Sequence, residues 1–311
     1  MSHKISIHNE SEGFYSFRAG RIDSHGDEVD VYEPAPPTKN LITNGGLNRQ
    51  GDNADWLRRI YVGSGSSTPN FNDTAMNNFV ASTVTEQATS FGAQSTAPFF
   101  AWRRITRRFG AGAAAGNLSE VGIGWDAGLF SRALIRDAQG NPTTIAVGSD
   151  QFLDVTYEYR FYPKVTDDTG TITLSGSVGG VHDYIFRASS VTTVIESVGW
   201  FIDPFGYSMG RTSNSSTLGR SVWNGDIGTV TESPSGFSQN GIPITAAAYS
   251  ENSLRRDFVV SLDLNTGNFG IRSALLRMGI GTFQIQFDQV IQKTSERLLS
   301  LTFSHSWGRR A

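Results

Sequence analysis

The sequence contains no cysteine in its 311 residues. A disulfide framework, a thiol nucleophile and thiolate-bound zinc or iron–sulfur sites are therefore excluded. Charge is also scarce, because charged residues make up 18% of the chain and the formal net charge is −3. This near-neutral balance argues against a nucleic-acid-binding or membrane-surface protein.

Long apolar runs and helical patterns are missing as well. No stretch approaches the roughly 20 apolar residues of a membrane span, and the start MSHKISIHNE lacks an apolar run of signal-peptide length. We therefore expect a protein made in the cytoplasm that does not insert into a membrane. A short helix around 47–57 is predicted. Neither heptads nor collagen-like repeats occur, which indicates a compact protein without a fibrous shaft.

Glycine and alternating strand patterns dominate what is present. The 34 glycines suit many tight turns, since glycine is costly inside helices. The segments FLDVTYEYRFYP (152–163) and LLSLTFSHSW (298–307) alternate between apolar and polar residues, as half-buried antiparallel strands do. Shorter strands are predicted at 60–62, 99–105, 120–125 and 129–135. The fold class predicted from these patterns is all-β.

Two halves of the chain carry similar segments in the same order. SDQFLDVTY (149–157) aligns with SERLLSLTF (295–303), and ALIR (133–136) aligns with ALLR (274–277). Upstream, residues 116–118 align with 267–269 and residues 107–108 with 255–256. We interpret this as two tandem, related antiparallel β-sandwich (jelly-roll-like) domains at 40–165 and 170–311. The alternative is that both halves reuse generic strand patterning.

Residues 1–39 form a separate segment in this interpretation. They alternate only weakly and end in the proline-rich stretch EPAPPT (33–38). They contain too few apolar residues for a core of their own. The prediction is an N-terminal extended arm, or a hairpin, with a Pro-rich spacer, and the arm is expected to be buried against a partner.

One segment matches the residue pattern of a catalytic motif. GYSMG (206–210) fits the G-x-S-x-G pattern of a nucleophile elbow, with Ser208 as nucleophile and Asp257 and His305 later in the chain. However, the following RTSNSSTLGR cannot form the required helix, and His305 lies on the apolar face of a predicted strand. A glycine-rich loop is the favoured interpretation. We expect no enzymatic activity, no cofactor and no metal, because the acidic clusters follow no calcium-binding pattern.

Four residues are candidates for surface contacts. In the basic stretch 103–108, Arg104 and Arg108 fall on the same face of a strand. They favour a solvated or inter-subunit salt-bridge surface, and contact with an anionic glycan or nucleic acid is the alternative. Tyr207 and Trp223 lie in the loop-rich region 203–241, where aromatic rings could stack on sugars.

Several segments resemble a group of bacteriophage tail proteins. They are NLITNGGLNR (40–49), VGSG…P…DT (62–74), GNLSEVG (116–122) followed by LFSRALI (129–135), and DVTYEYRFYP (154–163). They cover about residues 40–163 in the order found in that group. The resemblance implies a virion component from the tail, tail tip or fibre-attachment region. It supplies no catalytic residues, and by analogy it favours a homotrimer.

The expected function is therefore that of a non-enzymatic structural component of a bacteriophage virion. It would act by homo-oligomeric assembly with other phage structural proteins, and no nucleic acid partner is expected. One alternative is a receptor-binding (adhesin) module of the tail that recognises a host surface glycan or pilus. Another is a head decoration or collar protein.

Overall fold

The structure is a computed structural model and describes residues 5–175, 179–194, 200, 209–210 and 220–311. Strands account for 54% and helix for 3% of it, which confirms the all-β class. The first half contains β1 (Ile5–Ile22), β2 (Glu28–Tyr32), β3 (Thr38–Lys39), β4 (Leu41–Ile42), α1 (Asn44–Asp52), β5 (Arg59–Gly63), β6 (Phe79–Thr83), β7 (Glu86–Ala93), β8 (Ala101–Phe109), β9 (Gly116–Leu118), β10 (Glu120–Trp125), β11 (Gly128–Leu134), β12 (Ile145–Val147) and β13 (Gln151–Tyr162). The second half contains β14 (Asp168–Leu174), β15 (Gly180–Ala188), β16 (Arg220–Trp223), β17 (Ser238–Asn240), β18 (Ile244–Ala246), β19 (Arg255–Leu262), β20 (Gly270–Met278), β21 (Gly281–Gln292) and β22 (Leu299–Arg309).

A nine-stranded sheet runs through both halves of the chain. Its order is β18-β19-β22-β1-β13-β8-β7, and the short strands β2 and β3 also pair with β1. One face of this sheet is covered by two smaller sheets. The five-stranded sheet has the order β4-β11-β10-β5-β6, and the six-stranded sheet has the order β14-β15-β21-β20-β16-β17. The result is a β-sandwich whose larger layer is continuous.

Aromatic side chains fill the space between the layers. Phe130 of β11 packs against Tyr159 of β13 with ring centroids 5.8 Å apart. On the other side, Phe186 of β15 packs against Phe303 of β22 at 5.5 Å. The buried apolar residues of both halves form one hydrophobic cluster, so burial of apolar surface stabilises the two halves together.

The N-terminal segment is extended, as expected, and it pairs with strands of its own chain. Residues 10–21 of β1 pair antiparallel with β13, and residues 5–11 pair parallel with β22. The odd-numbered side chains of β1, such as Tyr15 and Phe17, point into the core. The segment lacks a core of its own because it contributes to the core of the other strands, so burial within the chain accounts for its order and burial against a partner stays a prediction.

The predicted strands are present, and the predicted helix is displaced. Segments 152–163 and 298–307 form β13 and β22, and segment 120–125 is β10. Helix α1 lies at 44–52 instead of 47–57. It begins there because the Thr43 hydroxyl accepts a hydrogen bond from the Gly46 N–H at 2.8 Å and so caps the first turn.

The two halves place their strands in a related way. The sequence from β8 through hairpin β10–β11 to β13 resembles that from β19 through hairpin β20–β21 to β22. In each, the outer two strands pair antiparallel in the large sheet. However, the first two residues of ALIR (133–136) end the second strand of its hairpin, whereas ALLR (274–277) lies in the first strand. The tandem repeat and its domain boundaries therefore stay a prediction.

Candidate functional site

The exposed face of the nine-stranded sheet, here called the outer face, carries the candidates Arg104 and Arg108. As predicted, they lie on one side of β8, and Arg103 and Arg107 lie on the other. In the register between β8 and β13, Arg104 is opposite Glu158 and Arg108 is opposite Asp154. Each arginine is therefore beside a carboxylate of its own chain.

Arg108 is the centre of a charge network on the outer face. Its Nε and Nη2 atoms each donate to a different carboxylate oxygen of Asp154 at 2.7 Å. Nη2 also donates to Glu28 at 2.6 Å. The pKa of Glu28 is lowered to about 2 because the guanidinium groups of Arg18 and Arg108 both bind its carboxylate. The guanidinium of Arg108 lies 4.0 Å from the ring centroid of Phe152.

Arg104 is more exposed but is also paired. It donates to Glu158, and its guanidinium lies 4.4 Å from the ring centroid of Trp102. Glu158 also accepts from Arg160, which stacks over Phe14 at 4.4 Å. Because carboxylates of the same chain neutralise these cations, the outer face fits a salt-bridge surface better than a phosphate-binding patch.

Of the two aromatic candidates, Trp223 and Tyr207, the structure describes only Trp223. Trp223 is half-buried in β16, and its indole N–H donates to the Ser221 hydroxyl at 2.8 Å. Beside it, the loop of residues 224–236 is held against the six-stranded sheet, where Gln284 exchanges hydrogen bonds with the backbone of Gly228. Trp223 is therefore not a fully exposed platform. Tyr207 lies outside the described residues.

Buried arginines are the polar residues that the sequence reasoning missed. Arg103 and Arg107 are 2% and 3% exposed, although their face of β8 was predicted correctly. Arg107 donates to the backbone oxygens of Val84 at 2.7 Å and Leu57 at 3.3 Å. Burial lowers the pKa of Arg107. The alternation of β8 could have indicated that Arg103 and Arg107 are buried, because it places the apolar Ile105 on the same face as both arginines.

A buried ion pair joins segments 62–74, 116–122 and 129–135. Arg132 Nε donates to Glu120 at 2.6 Å, and Arg132 Nη1 donates to Asp73 at 2.8 Å. Glu120 is fully buried and also accepts the backbone N–H groups of Gly65 at 3.2 Å and Asn78 at 2.7 Å. These residues, which we call the loop clasp, hold loop 64–78 on the five-stranded sheet. Their role here is structural.

The histidine that the serine motif would need, His305, is a core residue. His305 is fully buried, and its Nε2 lies 2.6 Å from the Asn9 amide nitrogen. Burial lowers the pKa of His305 to about 3, with a smaller contribution from His8. His305 is therefore a neutral core residue, as its place on an apolar strand face predicted. Ser208 lies outside the described residues, so the expectation of no hydrolysis stays a prediction.

Neither metal ligands nor a membrane span is found in the part of the chain that the structure describes. No group of three or more His, Asp or Glu side chains there could hold a metal ion. In the acidic patch, Asp23 accepts the backbone N–H groups of His25 and Asp27 at 2.9 Å and so shapes a turn. No described helix is long and apolar enough to cross a membrane.

A cleft of about 540 Å³ opens at one end of the outer face. It lies where β1, β13 and the chain end after β22 meet, next to the loop that joins β7 to β8. Its polar groups include His8 and Glu10 of β1 and Arg310 near the C-terminus, and Phe99 and Val165 supply apolar surface. Sequence reasoning missed this cleft, because its parts come from four separate segments.

The edge of the sandwich at β6 and β7 is also notable. Both strands end their sheets, so one side of each has no strand partner among the described residues. Residues 86–91 of β7 are all exposed. Large apolar side chains are exposed on and beside these strands, with Phe79 at 57%, Val84 at 42% and Phe91 at 46%. An edge of this kind is a ready template for pairing with another strand.

Comparison of the chain with models of known protein families, with curated proteins and with solved structures finds no match.

Proposed function

We propose that this chain is a non-enzymatic structural component of a bacteriophage virion, from the tail, tail tip or fibre-attachment region, that works by assembly with copies of itself. The phage part of the proposal is supported by the resemblance over residues 40–163. The assembly part is supported by one observation in particular, the open edge at β7. Stable monomers usually protect such an edge with lysine, proline or a covering segment.

Strand β7 has few of these protective features. Its sequence EQATSFGA contains no lysine and no proline, and Glu86 is its sole charge. A bulge lies between Glu86 and Ala88, and the pairing with β8 is regular from Ala88 to Ala93. The exposed ring of Phe91 lies within this regular stretch, and the exposed ring of Phe79 lies on β6, the edge strand of the five-stranded sheet. A second copy could therefore add a strand here through main-chain hydrogen bonds and bury apolar surface at the same time.

The geometry also bears on the number of copies. Antiparallel pairing of β7 with β7 of a second copy is two-fold and gives a dimer. In that arrangement, with Thr89 opposite Thr89 of the second copy, Glu86 faces Gly92 and no like charges meet. A trimer, which the resemblance favours, requires β7 to contact a different surface of the next copy.

The substitution Thr89→Lys tests assembly, because a lysine on the open edge opposes strand pairing. We expect the purified protein to sediment as an oligomer and the variant to sediment as a monomer or to associate at least tenfold more weakly. Ser261→Lys is the matched control, because Ser261 is exposed on β19, which has strand neighbours on both sides. A monomeric wild-type protein, or equal association of both variants, would contradict assembly through β7.

Labelling of intact particles tests the virion assignment. Gold-coupled antibodies against the purified protein should bind at the tail or tail tip in electron micrographs. Label at the head or neck would instead support the decoration or collar alternative. Particles without label, together with no trace of the protein by mass spectrometry of purified virions, would overturn the proposal.

A further inference from the structure

The cleft at the end of the outer face lies between β1 and the chain end that follows β22. In the parallel register of β1 and β22, Glu10 is opposite Gly308 and His8 is opposite Ser306. A Cβ atom on Gly308 would lie 3.3 Å from His8 Cε1, so Gly308 gives the His8 imidazole room beside the cleft. The chain then continues to Arg310, whose backbone N–H donates to the Ser11 oxygen at 2.8 Å. This bond fixes the chain end at the side of the cleft.

The walls of the cleft are held in place by contacts within the chain. The guanidinium of Arg310 lies 3.7 Å from the ring centroid of Tyr162, and the ring of Phe100 packs against Tyr162 at 5.1 Å. The backbone N–H of Lys164 donates to the Asn9 side-chain oxygen at 3.0 Å. Because these walls are already packed, a ligand would enter a largely preformed site.

The polar groups around the cleft are of complementary types. Glu10 is an acceptor without an ion-pair partner among the described residues, and Arg310 is a donor that makes no ion pair with them. His8 bonds to the Ser306 hydroxyl through Nδ1 at 2.9 Å, which leaves Nε2 for a ligand. The carboxylate disfavours a simple anion and the guanidinium disfavours a simple cation. A ligand with many hydroxyl groups satisfies both kinds of group.

The apolar part of the cleft fits the same class of ligand. Phe99 and Pro98 lie on one side, and Val165, which is 44% exposed, lies near Lys164. Sugar rings present C–H faces that pack on such surfaces, and their hydroxyl groups both donate and accept. A volume of about 540 Å³ is within the range of small-molecule sites. We propose that this cleft binds one or two sugar units of a glycan.

This inference goes beyond the structural role proposed above. A tail component that assembles through β7 does not need a sugar site, and the two proposals concern different residues. Sugar binding at the cleft would make the protein a receptor-binding part of the particle as well. The residues involved differ from Tyr207, Trp223, Arg104 and Arg108, which the sequence favoured.

The test uses the full-length protein with an array of bacterial surface oligosaccharides, followed by calorimetric titration of the bound sugars. We expect at least one saccharide to bind, and Glu10→Gln and Arg310→Gln each to weaken binding at least tenfold. Matched controls are Glu251→Gln and Arg255→Gln, which remove the same charges at exposed positions outside the cleft and should leave the affinity unchanged.

Thermal unfolding of each variant provides the check on folding, because Arg310→Gln also removes the contact of the guanidinium with the Tyr162 ring. Binding that survives both cleft substitutions would place the sugar elsewhere and overturn the inference. The inference would also fail if no saccharide on the array bound at a protein concentration of roughly 0.1 mM, which matches the weak affinity of a small site. Binding of peptides alone at the cleft would overturn it as well. Loss of sugar binding by a variant that still forms the wild-type oligomer separates this site from the assembly proposal.

Discussion

Close contacts at single positions restrict which side chains this fold can accept there. Helix α1 approaches strand β11 so closely that a Cβ atom on Gly46 would lie 2.4 Å from the Phe130 backbone oxygen. Its neighbour Gly45 has no atom nearer than 3.9 Å to the same position. The two adjacent glycines of one helix therefore have different roles, since one allows close packing and the other does not contribute to it.

The pair of substitutions Gly46→Ala and Gly45→Ala tests this difference. Gly46→Ala should lower the free energy of unfolding by about 1–3 kcal/mol, because the backbone of β11 must move to admit the methyl group. Gly45→Ala should be neutral or stabilise by up to about 1 kcal/mol, because alanine favours helix. Urea unfolding measures both values. Equal effects would show that the helix and β11 are not in close contact.

His305 is the residue whose titration should be visible in stability. Its folded-state pKa of about 3 is below the value near 6.5 of an unfolded chain. As pH falls below 6.5, the unfolded state takes up a proton that the folded state does not. The free energy of unfolding should therefore decrease by at most about 1.4 kcal/mol per pH unit until the pH reaches the folded pKa.

The substitution His305→Gln checks this dependence, because glutamine keeps an acceptor for Asn9 but does not titrate. Between pH 6.5 and 4.5 we expect the wild-type protein to lose stability and the variant to lose much less. Carboxylates with lowered pKa values, such as Glu28, contribute only at lower pH. His25→Gln is the control, because the His25 side chain is 82% exposed, and it should retain the wild-type pH profile.

At the scale of elements, the loop clasp attaches loop 64–78 to the five-stranded sheet. Arg132 and Glu120 are both buried, and the backbone N–H groups of the loop point at the Glu120 carboxylate. Removing one partner of a buried ion pair leaves the other charge without compensation. Segments 62–74, 116–122 and 129–135 are therefore held together by the loop clasp.

Arg132→Met should lower the free energy of unfolding by about 3–5 kcal/mol, because Glu120 would remain buried without its cation. Limited proteolysis should then cut within loop 64–78 more readily than in the wild type. Arg58→Met removes an arginine from an exposed pair with Asp126 and should cost less than about 1 kcal/mol. A similar cost for both substitutions would show that the clasp is dispensable.

At the scale of the whole molecule, β1 connects the two halves. It lies between β13 and β22, so the large sheet is continuous only through a strand that begins at residue 5. Each half contributes one of the two neighbours of β1 and one of the two covering sheets. The halves are therefore expected to unfold together, even if they arose from one repeated unit.

Removal of residues 1–39 tests this arrangement. We expect the remaining chain to lose its cooperative urea unfolding and near-UV circular dichroism, because β13 and β22 each lose a neighbouring strand. A synthetic peptide of residues 5–22 should restore both signals. The same peptide with Tyr15→Asp and Phe17→Asp should not. A shortened chain that unfolds like the full-length protein would show that residues 1–39 are a peripheral arm after all.

The sequence by itself determined the strands and their faces. Alternation with a period of two identified β8, β13 and β22 and separated Arg104 and Arg108 from Arg103 and Arg107, because this period is a local property of extended backbone. The same reasoning placed His305 on an apolar face. The absence of cysteine excluded thiol chemistry without any structural information.

Only the tertiary structure decided which strands lie side by side. The pairing of β1 with both β13 and β22, the burial of Arg132 beside Glu120, and the cleft that Glu10 and Arg310 line all join residues far apart in the chain. Such pairings depend on the register between distant strands and on how the layers pack over them. No local pattern encodes them, because the alternation of a strand specifies its buried face but not its neighbours.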